Sequence, residues 1–164
     1  INNAGGFWEQ NTTESISEIE WDHVIDLNLK GVFLCARHAI PLLRQSSAGR
    51  IITISSLAGQ TAIYQSSPAY AAAKAGVLSL TRVLASELGA DGITSNAIAP
   101  SAVLTERIKV VRSAEERAAT AASIPLGRYG GVDDLVTWMM FLASEEGGYM
   151  TGETIAVNGG RFMS

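Results

Sequence analysis

Arg50-Ile-Ile-Thr-Ile-Ser-Ser56 and, beyond a short loop, Ser67-Pro-Ala-Tyr70-Ala-Ala-Ala-Lys74 form the stretch that decides the fold. The first run is short, β-branched and apolar, as a strand buried on both faces of a parallel sheet requires. The second opens on a serine cap and a first-turn proline and stays alanine-rich up to Leu88, with Gly89 and Gly92 following; it predicts a helix over 69–88. Upstream, Ser17-Glu-Ile-Glu20 fits a capping box. It opens an amphipathic segment with Trp21, Val24, Ile25, Val32, Phe33 and Ala36 at its apolar positions, predicting a helix over 18–43 with Pro41 in its last turns and a loop at 46–49. Downstream, 93–98 predicts a second short strand. Asp133 and Asp134 suit the start of a helix running through Trp138, Met139, Phe141 and Leu142, where carboxylates favour the positive end of the dipole. A last strand over 154–157 runs into Gly159-Gly160, and residues 101–123, without a clear period, leave room for a mobile flap. Ile1-Asn-Asn-Ala-Gly5 reads as the tail of a strand entering a glycine turn, so the chain is expected to begin in mid-architecture. Strands separated by helices imply right-handed parallel crossovers, hence an α/β, doubly wound parallel sheet.

The 164 residues suit one domain with a real core. Hydrophobic residues make up 47% and charged residues 17%, with no bilayer-length apolar run and no signal segment, so a cytoplasmic protein without membrane contact is expected. The net charge of −4 and the scattered basic residues argue against nucleic acid as a partner. Cys35 is the single cysteine, which excludes an internal disulfide; its apolar helical setting favours a buried thiol over a nucleophile. His23 and His38 are too far apart for a local metal motif and suit a helix surface; no metal site is expected.

Chemistry is carried first by Tyr70 and Lys74. Four residues apart on a helix, a phenol and an ammonium share one face. A tyrosine titrates near pH ~10, and an adjacent positive charge favours the phenolate, so the pair can exchange a proton with an alcohol or carbonyl. Chance supplies such a pair roughly 7% of the time in a chain of this composition, so its surroundings decide. Ser56 closes the first strand, and ligands of an open parallel sheet bind beyond the carboxyl ends of its strands; one chain reversal brings its hydroxyl to the pair. By itself, a strand-end serine is a turn former. Asn28 is an amide amid apolar neighbours in mid-helix, which is mildly unfavourable. Either it satisfies a local backbone group, or its carbonyl holds a water that relays protons to Lys74. Asn2, Asn3 and Gly5 are turn residues or the polar edge of a cofactor site.

The order Asn2-Asn-Ala-Gly5, Trp21 with Asn28-Leu-Lys-Gly31, Ile54-Ser-Ser56, Tyr70-x-x-x-Lys74, Asn96-Ala-Ile-Ala-Pro100, Thr151-Gly-Glu153 and Asn158-Gly-Gly160 resembles the short-chain dehydrogenase/reductase superfamily over essentially the whole chain. Within it the chain looks like the single-domain branch and its 3-oxoacyl carrier-protein reductase-like members. The resemblance implies a Rossmann-like fold and hydride transfer between NAD or NADP and a small-molecule carbonyl or secondary alcohol. It implies Tyr70 as general acid/base, Ser56 on the substrate oxygen, and Lys74 both lowering the Tyr70 pKa and binding the nicotinamide ribose. Asn28 would hold the relay water, Asn3, Ala4 and Gly5 would line the adenosine side, and Pro100, Val103 and Thr105 would pack at the nicotinamide end. It also implies a homo-oligomer, a dimer or a homotetramer, packed through the two long helices.

Three departures qualify that picture. No Gly-x-x-x-Gly-x-Gly turn follows a first strand and no G-x-G-x-x-G occurs, although such a turn should cradle the pyrophosphate. The chain is therefore read as the carboxyl-terminal part of a longer Rossmann-like domain, the catalytic half without the Gly-rich segment. Ser101 stands where the family usually has glycine. Ser56, rather than Ser55, fits the family's serine, with one residue more than in many members before Tyr70. Two alternatives stay open: a non-catalytic binding or assembly module, and a lyase or epimerase using the same tyrosine. Substrate identity is assigned to residues 101–123 and to the loop at 57–67, with Gln60, Tyr64 and Gln65.

Overall fold

The computed structural model describes residues 1–63 and 66–163; Tyr64 and Gln65, named above in the substrate loop, lie outside the described residues. Three parallel strands, β1 (Arg50–Ile54), β2 (Thr94–Pro100) and β3 (Thr154–Val157), form a sheet in the order β1-β2-β3. Ile54 pairs with Ile98, and Pro100 with Val157. The second strand starts and ends later than 93–98, because Ile93 is drawn into the core beneath the preceding turn while Ala99 and Pro100 pair with β3.

Period-two alternation in β1 divides the core. Ile51 packs with Ala36, Leu84, Leu88 and Ile93 on one face, whereas Ile52 and Ile54 pack with Ile98 and Leu142 on the other. The first face is covered by α2 (Gly31–Leu43) and α3 (Pro68–Leu88), the second by α6 (Val132–Ala143). Helices on both faces make the sheet doubly wound, as the strand and helix alternation predicts. The chain's first residues lie along the outer edge of β1: Asn2 N–H donates to Ile52 O at 2.8 Å, and Ile54 N–H donates to Asn2 O at 2.9 Å. No described helix is long and apolar enough to cross a membrane.

The predicted 18–43 helix has the right ends and an unexpected middle. It consists of α1 (Glu18–Ile25), a π turn (Asp26–Lys30) and α2. The buried positions Val24, Asn28, Val32 and Ala36 are spaced by fours. On a regular helix that spacing drifts by ~40° per step, and the wide turn absorbs the drift. Trp21 and Phe33, placed by the sequence on the apolar stripe, are exposed in consequence. So is Cys35, one step from Ala36; the expectation of a buried thiol is wrong, because the apolar neighbours Phe33 and Leu34 themselves face outward. At the start, Ser17 Oγ accepts from Glu20 N at 3.1 Å, but only this half of the capping box forms. Ser67 caps α3 by position alone, since its hydroxyl makes no cap bond.

Residues 101–123 also differ from expectation. They hold α4 (Glu106–Val111) and α5 (Ala114–Ala122). Thr105 Oγ1 accepts from Ile108 N, and Ser113 and Glu116 complete a reciprocal capping box. The segment is therefore a capped helix pair, held back to the sheet side by the Val103 and Gly130 bridge.

Candidate active site

α3 owes its position to a face of small residues. Ala69, Ala73 and Val77 are fully buried at four-residue spacing, which lets the helix lie close over the strands. Lys74 falls beside this face and is only 4% exposed. Its Nζ donates to Ile54 O at 2.8 Å, and Ser55 Oγ donates to Lys74 O at 2.9 Å. The last strand residues thus grip both the side chain and the backbone of one helical residue. Gly59 completes the approach: a Cβ there would come within 2.6 Å of the Lys74 carbonyl carbon. Nothing in the sequence singled out Gly59; its role depends on the fold bringing the short turn Leu57–Gly59 against α3.

One helical turn before Lys74, Tyr70 shares its face, with the ammonium 5.6 Å from the ring centroid. Burial pushes the phenol above its usual range, and a hydrogen bond with the Ser56 side chain works the other way. The sequence expectation that Lys74 sets a lowered Tyr70 pKa is corrected: desolvation wins in the folded chain. Burial also lowers the Lys74 pKa to about 8. Ser56, not Ser55, is the hydroxyl at the phenol; it also accepts from Ala58 N at 3.2 Å.

Asn28 is fully buried in the π turn. Its Nδ2 donates to Val24 O at 2.9 Å and Gly6 O at 2.8 Å, and its Oδ1 accepts from Gly6 N at 2.9 Å. The amide therefore anchors the Gly5-Gly6 segment. Gly5 is required at this point: φ is +154°, and a Cβ would meet Asn28 Oδ1 at 2.5 Å and Lys74 Nζ at 3.4 Å. Asn3 and Ala4 precede it as exposed residues.

The structure thus brings Gly5, Asn28, Ser56, Tyr70 and Lys74 together at the carboxyl end of β1. Pro100 ends the neighbouring strand on the same edge of the sheet. Val103 is engaged with Gly130 and Thr105 caps α4, so both sit at the base of the helix pair. Ser101 N donates to Val157 O at 3.2 Å, and its Oγ accepts from Arg161 at 3.5 Å. The sequence missed Phe7, whose ring lies 4.9 Å from that of Tyr70, tilted by 49°; an aromatic following Gly-Gly was the only signal. Such an edge-tilted pair fixes the phenol laterally.

A family model described as enoyl-(acyl carrier protein) reductase matches residues 1–161. The chain is similar to the 3-oxoacyl-[acyl-carrier-protein] reductase FabG of Staphylococcus aureus, 42% identical over 164 residues, 99% of this chain and 65% of that protein. Among solved structures it resembles a Brucella melitensis 3-oxoacyl-[acyl-carrier protein] reductase with bound NAD, at a TM-score of 0.90 and 31% identity over 99% of this chain and 61% of that one. It also resembles the Pseudomonas aeruginosa RhlG/NADP active-site complex, at 0.89 and 36% identity over 98% of this chain and 64% of that one. The chain spans about 65% of the length of the curated relatives it matches. A match across nearly the whole chain, on a parallel sheet with this residue cluster at its carboxyl edge, leaves one conclusion: the chain belongs to the short-chain dehydrogenase/reductase superfamily of oxidoreductases.

Proposed function

We propose that this chain carries the proton-transfer half of an NAD- or NADP-dependent reductase acting on a ketone or secondary alcohol, with 3-oxoacyl thioesters as the nearest substrate class. The observation that carries this reading is the meeting of Ser56, Tyr70 and Lys74 at one strand end, with Lys74 locked to Ile54 O.

The site residues fit a dinucleotide's ribose. Lys74 spends one of its three ammonium donors on Ile54 O and has no other protein acceptor among the described residues. Gly5, bare of a side chain, lets the main chain pass close to this ammonium. The Gly-rich pyrophosphate cradle is not among these residues. When bound, the nicotinamide supplies or accepts the hydride.

In the reductive direction Ser56 holds the carbonyl oxygen and Tyr70 donates the phenolic proton to it. The raised pKa keeps Tyr70 in its acid form at neutral pH. Lys74, still largely protonated at pH 7, stabilises the phenolate that forms. Asn28, with its side chain fully engaged, holds the Gly5-Gly6 edge in place; any water it relays to Lys74 would sit on its main-chain carbonyl. In the assembled protein, the outer face of α1, α2 and α3 packs against a second copy. Phe33 is 45% exposed and Leu34 39% exposed there, which suits a dimer or tetramer built on the long helices.

The test is cofactor oxidation by the full-length protein against ketones and β-keto thioesters. Turnover is expected with NADH or NADPH, and Tyr70→Phe is expected to lower it by roughly 10²–10⁴-fold with cofactor binding retained. A purified, folded protein that oxidises neither cofactor against any of these substrates overturns the reading in favour of a binding module.

A further inference from the structure

A cleft of about 540 Å³ opens beside Tyr70, within the size range of small-molecule sites. Phe7 and Tyr70 line one side, and α4 with its C-cap residue lines the other through Arg107, Ile108, Val111 and Arg112. Arg107, Ile108 and Val111 share one helix face by their spacing, and Arg112, in extended conformation just past the helix end, brings a second cation to the same cleft.

The cations are not neutralised by the protein. Among the described residues, neither Arg107 nor Arg112 has a carboxylate within ion-pair distance. Arg107 makes a single long side-chain hydrogen bond among the described residues, Nη2 to Phe7 O at 3.5 Å, which places its guanidinium at the main chain of the residue whose ring lies against Tyr70. The one carboxylate of the lining, Glu116, is committed to Ser113 N at 2.8 Å. Lys109 is paired with Glu106 at 2.7 Å. From behind, Arg117 Nη1 donates to Lys109 O at 3.1 Å and Arg112 O at 2.5 Å, so the backbone that presents Arg112 is braced. In a chain of net charge −4, two unpaired guanidiniums in one concavity are a local positive field of the kind that gathers anions.

Resting on the oxidoreductase reading, we propose that the substrate carries an anionic oxo group, carboxylate or phosphate, beyond its reactive carbonyl. Arg107 and Arg112 hold that group, whose geometry matches a guanidinium fork. Phe7, Ile108 and Val111 cover the apolar stretch between it and the carbonyl at Ser56 and Tyr70.

The experiment compares matched substrates on the full-length protein with NADH and NADPH: levulinate against methyl levulinate, and S-acetoacetyl pantetheine phosphate against S-acetoacetyl pantetheine. Calorimetric binding of the same four compounds runs in parallel. The anionic member of at least one pair is expected to show a kcat/KM and an affinity roughly tenfold higher, and which pair does so separates carboxylate from phosphate. The preference should shrink as salt rises. Arg107→Met and Arg112→Met should each reduce the anionic-to-neutral ratio, and the double variant should bring it to about one. Equal handling of both members, or a preference that survives the double substitution, overturns the inference while leaving a Tyr70-dependent reductase standing. Arginine-dependent anion binding without any turnover supports the subsite and removes the oxidoreductase reading instead.

Discussion

Lys74 illustrates how one side chain serves chemistry at the expense of stability. It is buried with a single hydrogen bond, to Ile54 O, and its pKa is lowered to about 8 against 10.5 for the free group. Below pH 8 both folded and unfolded chains carry the charge, and the folded state bears the full desolvation cost. Between about 8 and 10.5 the unfolded chain binds the extra proton, so stability rises with pH by on the order of 3 kcal/mol. Tyr70 acts oppositely: its raised pKa contributes stability that is lost once the unfolded phenol ionises, above pH 10. Urea midpoints from pH 7 to 10 should climb in the native protein and stay flatter in Lys74→Met. The pairing of Tyr70 and Lys74 was legible in the sequence because four-residue spacing needs only a helix. The direction of the Tyr70 shift was not, since it depends on how deeply Phe7 and the strand end bury the ring. Cys35 failed for the same reason: apolar neighbours do not reveal which way a face turns.

At the scale of elements, caps and prolines located the long helices, and alternating isoleucines located β1. The π turn left no trace in the sequence, because its only mark is a four-residue spacing of buried positions that includes a polar one, Asn28. The α4 and α5 pair escaped notice because α4 has only 6 residues and α5 is alanine-rich, and neither buries a full residue. Short helices with so little packing depend on their ends. Ser113→Ala removes the acceptor for Glu116 N and should cost about 1 kcal/mol locally. The effect belongs to α5: amide hydrogen exchange over 114–122 should quicken, with exchange in β1 and β2 unchanged. Because α5 braces Arg112 through Arg117, the same substitution should raise KM more than it lowers kcat.

For the whole molecule, three strands with helices on both faces account for the core but leave apolar groups outside it. Those on α2 lie on the face turned away from Ile51 and Leu88. Phe33→Glu is expected to shift the full-length protein to a smaller species in light scattering, with an unchanged circular dichroism spectrum; an unchanged mass would place any assembly on another face. The doubly wound class, the alternation of strands and helices and the family's motif order were all readable before folding, since they depend on sequence succession. The cleft was not, because its walls come from residues about a hundred positions apart, Phe7 and Arg107. The reciprocal bonds between Lys74 and the Ile54-Ser55 strand end carry one last implication. Sliding α3 along the sheet by even a fraction of a turn breaks both at once, so the site has no loosened but folded form to pass through. On heating, the loss of the proposed turnover and the loss of tertiary structure should follow a single curve, and protein cooled from below that transition should regain its full rate without a lag.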